Sequence, residues 1–148
     1  MLARVSFVPA IARGADPADD DVVALFADGA EIILADTTAD VIAALPDRLR
    51  AAQSVFDSTG GLHAAGLFDR NGVLQVAAED VGRHNAVDTI AGWMAMNDVS
   101  GHDKVFYTTG RLTSEMVIKS AQMGVPIAVS RSGITQMGHE LAQTLGVC

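Results

Sequence analysis

The side chains best equipped for chemistry in this chain sit in one short stretch, Glu79-Asp80-Val81-Gly82-Arg83-His84-Asn85-Ala86-Val87-Asp88. It gathers acids, a guanidinium, an imidazole and a carboxamide beside a glycine. The apolar run Val73 to Ala78 before it reads as a strand, and Val87, Ile90, Ala91 and Met94 after it recur at helical spacing. The stretch is therefore a strand-to-helix turn, where unpaired backbone N–H groups and the positive end of a helix dipole favour an anion. Arg83 and His84 strengthen that field. The local alternative for the same residues is a cap, with Asp80 or Asn85 closing the helix start and Arg83 ion-paired to Glu79.

Two later turns repeat the pattern. Thr109-Gly110-Arg111 follows the apolar run Lys104 to Thr108, and Ser130-Arg131-Ser132-Gly133 follows Val125 to Val129. Each turn pairs a glycine, which lets a ligand approach the backbone, with an arginine, whose planar fork suits phosphate. Of the Lys and Arg residues beyond Gly60, half (Arg83, Arg111 and Arg131) lie at these turns. A ligand with several negative charges, such as a nucleotide or pyrophosphate, is the expectation. Thr59-Gly60-Gly61-Leu62-His63 is a fourth candidate loop. His63 opens an apolar run, so a buried, hydrogen-bonded structural histidine is its simpler role, whereas His84 is the better functional candidate.

These turns need elements to carry them. Leu45-Pro46-Asp47 is expected to open a helix, with Pro46 near its first position and Leu45, Leu49, Ala52 and Phe56 as its buried stripe. Strands follow over Leu62 to Phe68 and Val73 to Ala78, joined by the turn Arg70-Asn71-Gly72. The central helix ends near Asn97. Strand Lys104 to Thr108, helix Ser114 to Met123, strand Val125 to Val129 and helix Thr135 to Leu145 complete the order. Strict alternation of strands and helices after Gly101 implies parallel β-α-β units, with the turns at Arg83, Arg111 and Arg131 at the C-terminal edge of the sheet. The class is α/β, three-layered, with a mostly parallel sheet. Upstream, residues 1 to 20 read as irregular. Val22 to Ala27 and Ala30 to Ala35 read as a hairpin across Asp28-Gly29. Among the remaining residues, Met94, Met96, Met116, Met123 and Met137 are expected in the core, with Met137, Leu141 and Leu145 facing inward. Trp93 is expected to be partly buried, His102 and His139 exposed, and Glu115 paired with Lys119 along one helix face.

Composition sets outer limits. With 148 residues, 49% of them apolar, the chain fits one soluble domain. A net charge of −8 argues against a nucleic-acid binder that works by bulk electrostatics. No apolar run reaches the roughly 18 residues of a membrane span, and Pro9 interrupts the weak apolar start, so a cytoplasmic location is expected. The one cysteine, Cys148, excludes a disulfide within the chain and a Cys-rich zinc site, and with it a zinc-dependent deaminase.

The segments Phe56 to Ala65, Glu79 to Asp88, Gly110 to Met116 and Ser130 to Gly133 closely resemble the formate dehydrogenase accessory sulfurtransferases (FdhD). The resemblance runs from about Leu45 to Cys148, which gives an irregular arm and hairpin over 1–40 and an FdhD-like domain over 41–148. It implies a cytidine-deaminase-like fold without zinc and a role in maturing formate dehydrogenase. Such proteins take sulfur from a cysteine desulfurase and pass it to the molybdenum bis-molybdopterin guanine dinucleotide cofactor, of which guanosine diphosphate is a partial mimic. They are expected to form homodimers.

By that resemblance Arg83, Arg111 and Arg131 would neutralise phosphates, and Gly60, Gly61, Gly82, Gly110 and Gly133 would admit the ligand. His84 and Asn85 would hydrogen-bond it. Glu79 and Asp80 would orient the arginines or accept from guanine, with Thr59, His63, Ser114, Ser130 and Ser132 completing the set. The family carries its persulfide on a Cys-x-x-Cys loop upstream of the Thr-Gly-Gly-x-His motif, and residues 1 to 58 contain no cysteine. Cys148, as a terminal and poorly held residue, is not expected to replace it. The alternative is a cofactor- or nucleotide-binding module without catalytic residues.

Overall fold

In the computed structural model, which describes residues 37–148 and two short strands upstream, Thr38 starts the first long helix. The upstream strands are β1 (Phe7–Pro9) and β2 (Leu25–Ala27), paired antiparallel with Val8 opposite Phe26. β1 falls within the segment expected to be irregular. β2 lies in the expected strand Val22 to Ala27, but its partner is β1. The run 30–35, expected to pair across Asp28-Gly29, lies outside the described residues.

Helix α1 spans Ala39–Ala52, earlier than Pro46 suggests. Thr38 caps it, its hydroxyl accepting from the Val41 N–H at 3.3 Å. Pro46 therefore sits inside the helix, where it removes one hydrogen bond and costs about 3 kcal/mol. Ile42, Leu45 and Leu49 are buried on one side, at roughly 1.5–3 kcal/mol each, so burial outweighs the proline. Ala52 is exposed, and Phe56 belongs to a separate short helix, α2 (Phe56–Thr59).

The remaining elements are β3 (His63–Asp69), β4 (Leu74–Asp80), α3 (Arg83–Met96), β5 (Lys104–Thr108), α4 (Ser114–Gln122), β6 (Ile127–Ser130) and α5 (Gln136–Leu145). Their order matches the sequence expectation. The sheet does not. Its strand order is β4-β3-β5-β6, and β3 is antiparallel to both neighbours, so only β5 and β6 form a parallel pair. The expected mostly parallel sheet is thus a mixed one. The cause is the short turn after β3, where Asp69 Oδ1 accepts from the N–H groups of Asn71 and Val73 and reverses the chain. β5 then pairs with the far edge of β3 instead of with β4. Strands β4, β5 and β6 still run in one direction, which keeps their C-terminal ends together.

Alternation along the strands divides the core in two. Ala65, Leu67, Phe106 and Ala128 pack with Val87, Ile90, Met116 and Val117 on the side of α3, α4 and α5. Ala64, Phe68, Tyr107 and Val129 pack with Ile42, Leu45 and Leu49 of α1 on the other. α1 lies close to the sheet at Gly66, where a Cβ would come within 2.8 Å of the Phe68 ring and 3.0 Å of Leu49.

On α5 the inward line runs through Gly138 and Ala142, and a Cβ at Gly138 would stand 2.7 Å from the Leu112 carbonyl oxygen. Met137 and Leu145 consequently point outward, at 67% and 44% exposure, contrary to expectation, while Leu141 is partly buried. Met96 is also exposed, at the end of α3. No helix among the described residues is long and apolar enough to cross a membrane.

Candidate functional site

Register brings the candidate turns to one end of the sheet. His63 is opposite Asp80, Ala65 opposite Thr108, and Thr108 opposite Ser130. The loop entering β3 and the loops leaving β4, β5 and β6 therefore share one edge, as the motif pattern required.

Much of what the sequence offered to a ligand is used to build that edge. Glu79 and Asp80 are consecutive strand residues and so face opposite sides of the sheet. Glu79 accepts from the N–H groups of Ser54 and Val55 through Oε2 and of Phe56 through Oε1, at 2.9–3.0 Å. Slight burial pushes its carboxyl up, but these N–H groups, with the Gln53 side chain, outweigh it and hold the group below the usual carboxylate range. Asp80 Oδ1 accepts from the Gly82 N–H at 2.7 Å and from Asn85 Nδ2 at 3.0 Å, shaping the entry to α3. Glu79 is thus a cap for α2 and Asp80 a brace for α3, and Asn85 is tied to that brace.

The hydroxyls behave likewise. Ser130 Oγ donates to the Gly110 carbonyl at 2.8 Å, and Ser132 Oγ donates to the Thr109 carbonyl at 2.7 Å. Thr109 Oγ1 accepts from the Ala64 N–H at 2.9 Å, and Thr59 Oγ1 donates to the Val55 carbonyl at 3.0 Å. The bonds of Thr109, Ser130 and Ser132 stitch the loops to one another, and that of Thr59 closes the α2 turn on itself. Gly60 and Gly133 adopt φ of +67° and +80°, which a side chain would strain. Gly110 serves packing, since a Cβ there would meet Arg83 Cβ at 2.9 Å.

A cleft of about 490 Å³ opens at this edge on the α1 side, lined by Arg50, Gln53, Phe56, Leu62, His63, Thr109 and Arg131. Arg83 and Arg111 are not on its wall. Arg83 lays its stem along Gly110, and its Nε is buried with no hydrogen-bond partner; the same holds for Thr113 Oγ1, at the start of α4 beside Ser114. Arg111 is exposed. His84 Nε2 lies 3.4 Å from Glu115 Oε2, and Lys119 Nζ lies 2.6 Å from Asp88 Oδ1. Glu115 and Lys119 therefore each pair across to α3, not with one another.

The Arg50 guanidinium rests 4.9 Å from the centre of the Phe56 ring and is ion-paired to Asp57. Arg50 and Gln53 went unread in the sequence as site residues because the motif segments begin after them, and Phe56, which opens the first segment, was read as part of a buried helical stripe. Their one signal is proximity to Thr59-Gly60-Gly61.

The sequence pattern of the FdhD/NarQ family matches residues 21–148. This chain belongs to the FdhD/NarQ family. A sulfur carrier protein FdhD of Nocardia farcinica is 46% identical over 110 residues, covering 74% of this chain and 39% of that protein. The FdhD of Mycobacterium bovis is 39% identical over 147 residues, covering 99% of this chain and 47% of that protein. Similarity to FdhD therefore extends upstream of the motifs that begin near Leu45. The crystal structure of a putative formate dehydrogenase accessory protein from Desulfotalea psychrophila superposes with a TM-score of 0.67 at 40% identity, covering 72% of this chain and 44% of that one. This FdhD-family chain spans less than half the length of these relatives.

Proposed function

We propose that this chain is the cofactor-holding part of a formate dehydrogenase maturation factor and binds molybdenum bis-molybdopterin guanine dinucleotide at the shared loop edge. The observation that carries the reading is the convergence of four loops on one sheet end, with Arg83 Nε and Thr113 Oγ1 buried there and unpartnered. Buried polar groups are normally paired, so these two fit an anionic group reaching the starts of α3 and α4. Arg83, Arg111 and Arg131 would meet phosphates, with the Arg50 guanidinium and the His63 ring beside Arg131 in the cleft. When bound, the cofactor supplies the metal and the atoms that receive sulfur; the chain binds and orients it.

Within the proposal, sulfur comes from a cysteine desulfurase and the product serves formate dehydrogenase. The active unit is a cytoplasmic homodimer, which light scattering tests, and the fold is cytidine-deaminase-like, which superposition of an experimental structure on a deaminase tests.

Titration of guanosine diphosphate into the purified chain by calorimetry is the direct experiment. Saturable binding is expected, weakened in Arg111→Ala by about 1.5–3 kcal/mol, the range for a charged hydrogen-bond partner. Absence of binding by folded protein refutes the reading, and unchanged affinity in the variant removes Arg111 from the site.

A second reading, binding without sulfur chemistry, draws on Cys148. Its N–H donates to the Pro126 carbonyl at 2.8 Å and its carbonyl accepts from the Ala128 N–H at 2.6 Å. It is held and buried, contrary to the expectation of a poorly held terminal residue, and burial is a poor setting for a sulfur-carrying thiol. Transfer of labelled sulfur from a desulfurase to this chain would exclude that reading.

A further inference from the structure

The turn between α1 and α2 has few means of its own to hold a shape. α2 is only four residues long, and no side chain caps it from its N-cap position, Val55. Three successive N–H groups at its start, those of Ser54, Val55 and Phe56, instead converge on Glu79 of β4. Gln53, buried just before them, also bonds the same carboxylate through its side chain. This turn is a wall of the cleft. Gln53 and Phe56 line it directly, and the Phe56 ring carries the Arg50 guanidinium that lines it with them.

We infer that Glu79 is the positioning residue of the cleft: its carboxylate latches the 53–56 turn to the sheet and so sets where Phe56 and Arg50 stand relative to Arg131. Glu79 then acts on ligand through the wall, not by contact. The geometry explains why this position holds a carboxylate. Two acceptor oxygens serve three backbone N–H groups and the Gln53 side chain, and an amide at position 79 would present an NH₂ group to one of those N–H groups. An aspartate, one methylene shorter, would fall short of the turn. The inference rests on the cleft being part of the proposed ligand site, but the latch itself is measurable without ligand.

The test compares wild type, Glu79→Gln and Glu79→Asp with Glu140→Gln, a change at an exposed acid on α5. Amide hydrogen exchange is read at Ser54, Val55 and Phe56. Resonance shifts are read at Leu62 and Thr109, which line the cleft but do not belong to the turn, with Phe106 of β5 as reference. In both Glu79 variants the turn amides are expected to exchange at least tenfold faster, with the Leu62 and Thr109 resonances displaced and that of Phe106 unmoved. Guanosine diphosphate affinity is expected to fall at least threefold, at a urea midpoint that still leaves the protein fully folded without denaturant. Glu140→Gln is expected to match wild type in all four readouts.

Unchanged exchange at the turn overturns the latch. Faster exchange with unchanged affinity overturns the positioning role and leaves Glu79 a local brace. If wild type itself does not bind the nucleotide, the functional proposal fails separately. The inference is then decided by Leu62 and Thr109, whose unmoved resonances overturn it and whose displacement sustains it.

Discussion

Replacing Gly110 with alanine tests how the β5–α4 turn fits the start of α3. The added Cβ would lie 2.9 Å from Arg83 Cβ and 3.0 Å from Arg83 Cδ. The second contact can be relieved by rotating the arginine stem, but the first atom is fixed by the α3 backbone. Either the turn or the helix start must therefore shift. Overpacking of this kind costs about 1–3 kcal/mol. With a urea dependence of about 2 kcal/mol per molar, the unfolding midpoint should fall by roughly 0.5–1.5 M.

Trp93, the one tryptophan, packs partly buried against the α3-side core and reports unfolding by its fluorescence. Arg83→Ala removes the Cδ contact and keeps the Cβ contact, so it should rescue only part of the loss. A coupling of about 0.5–1 kcal/mol is expected, at the low end for touching residues. The displaced arginine should also weaken nucleotide binding in Gly110→Ala. A midpoint and affinity equal to wild type would refute the argument that Gly110 is reserved for the Arg83 stem.

Leu45→Ala, at a fully buried position between α1 and the sheet, should cost about 2–5 kcal/mol in the same urea assay, whereas Met137→Ala, on the exposed side of α5, should stay within about 0.5 kcal/mol. Acid should loosen the 53–56 turn in a defined window. The folded pKa of Glu79 lies below the ordinary value of a glutamate carboxyl, so its contribution is complete above that ordinary value and is lost as pH falls through the lower folded value. Exchange protection at Ser54–Phe56 should be level from neutral pH to about 4.5 and decline beneath it; a decline that begins near neutrality would contradict this. Asp103, lowered chiefly by its hydrogen bond from Lys104, adds a contribution of the same sign, which only the global unfolding midpoint should register.

The periodicities exposed the elements because each is short and bounded by turn residues, and the strands β4, β5 and β6 point as the alternation implied. Adjacency was not legible. A strand-helix-strand pattern fixes direction, while the insertion of β3 between β4 and β5 depends on which edge of a hairpin is free to accept another strand. Pro46 misled for a related reason: its place in a helix follows from tertiary burial of Ile42, Leu45 and Leu49, which propensity does not contain. In the site, residue types announced an anion-friendly edge, but the sequence could not distinguish side chains that meet a ligand from those that hold the loops. Glu79, Asp80, Ser130 and Ser132 look like ligand groups in the motif and are occupied by backbone partners in the fold. Arg50 carried no motif and reaches the cleft through an aromatic ring.

The antiparallel strand β3 has a consequence for how such a site comes into being. β3 and β4 are joined by a tight turn and can zip together early, yet that hairpin brings only two of the four loops to the edge. The other two arrive when β5 docks on the opposite side of β3, across the whole of α3, and β6 joins it across α4. Loop closure over such separations comes late and costs entropy before contacts repay it. A chain in which only the β3–β4 hairpin has formed would therefore lack the complete loop edge. A ligand that needs all four loops can recognise only the finished fold, and by mass action would draw the population towards it.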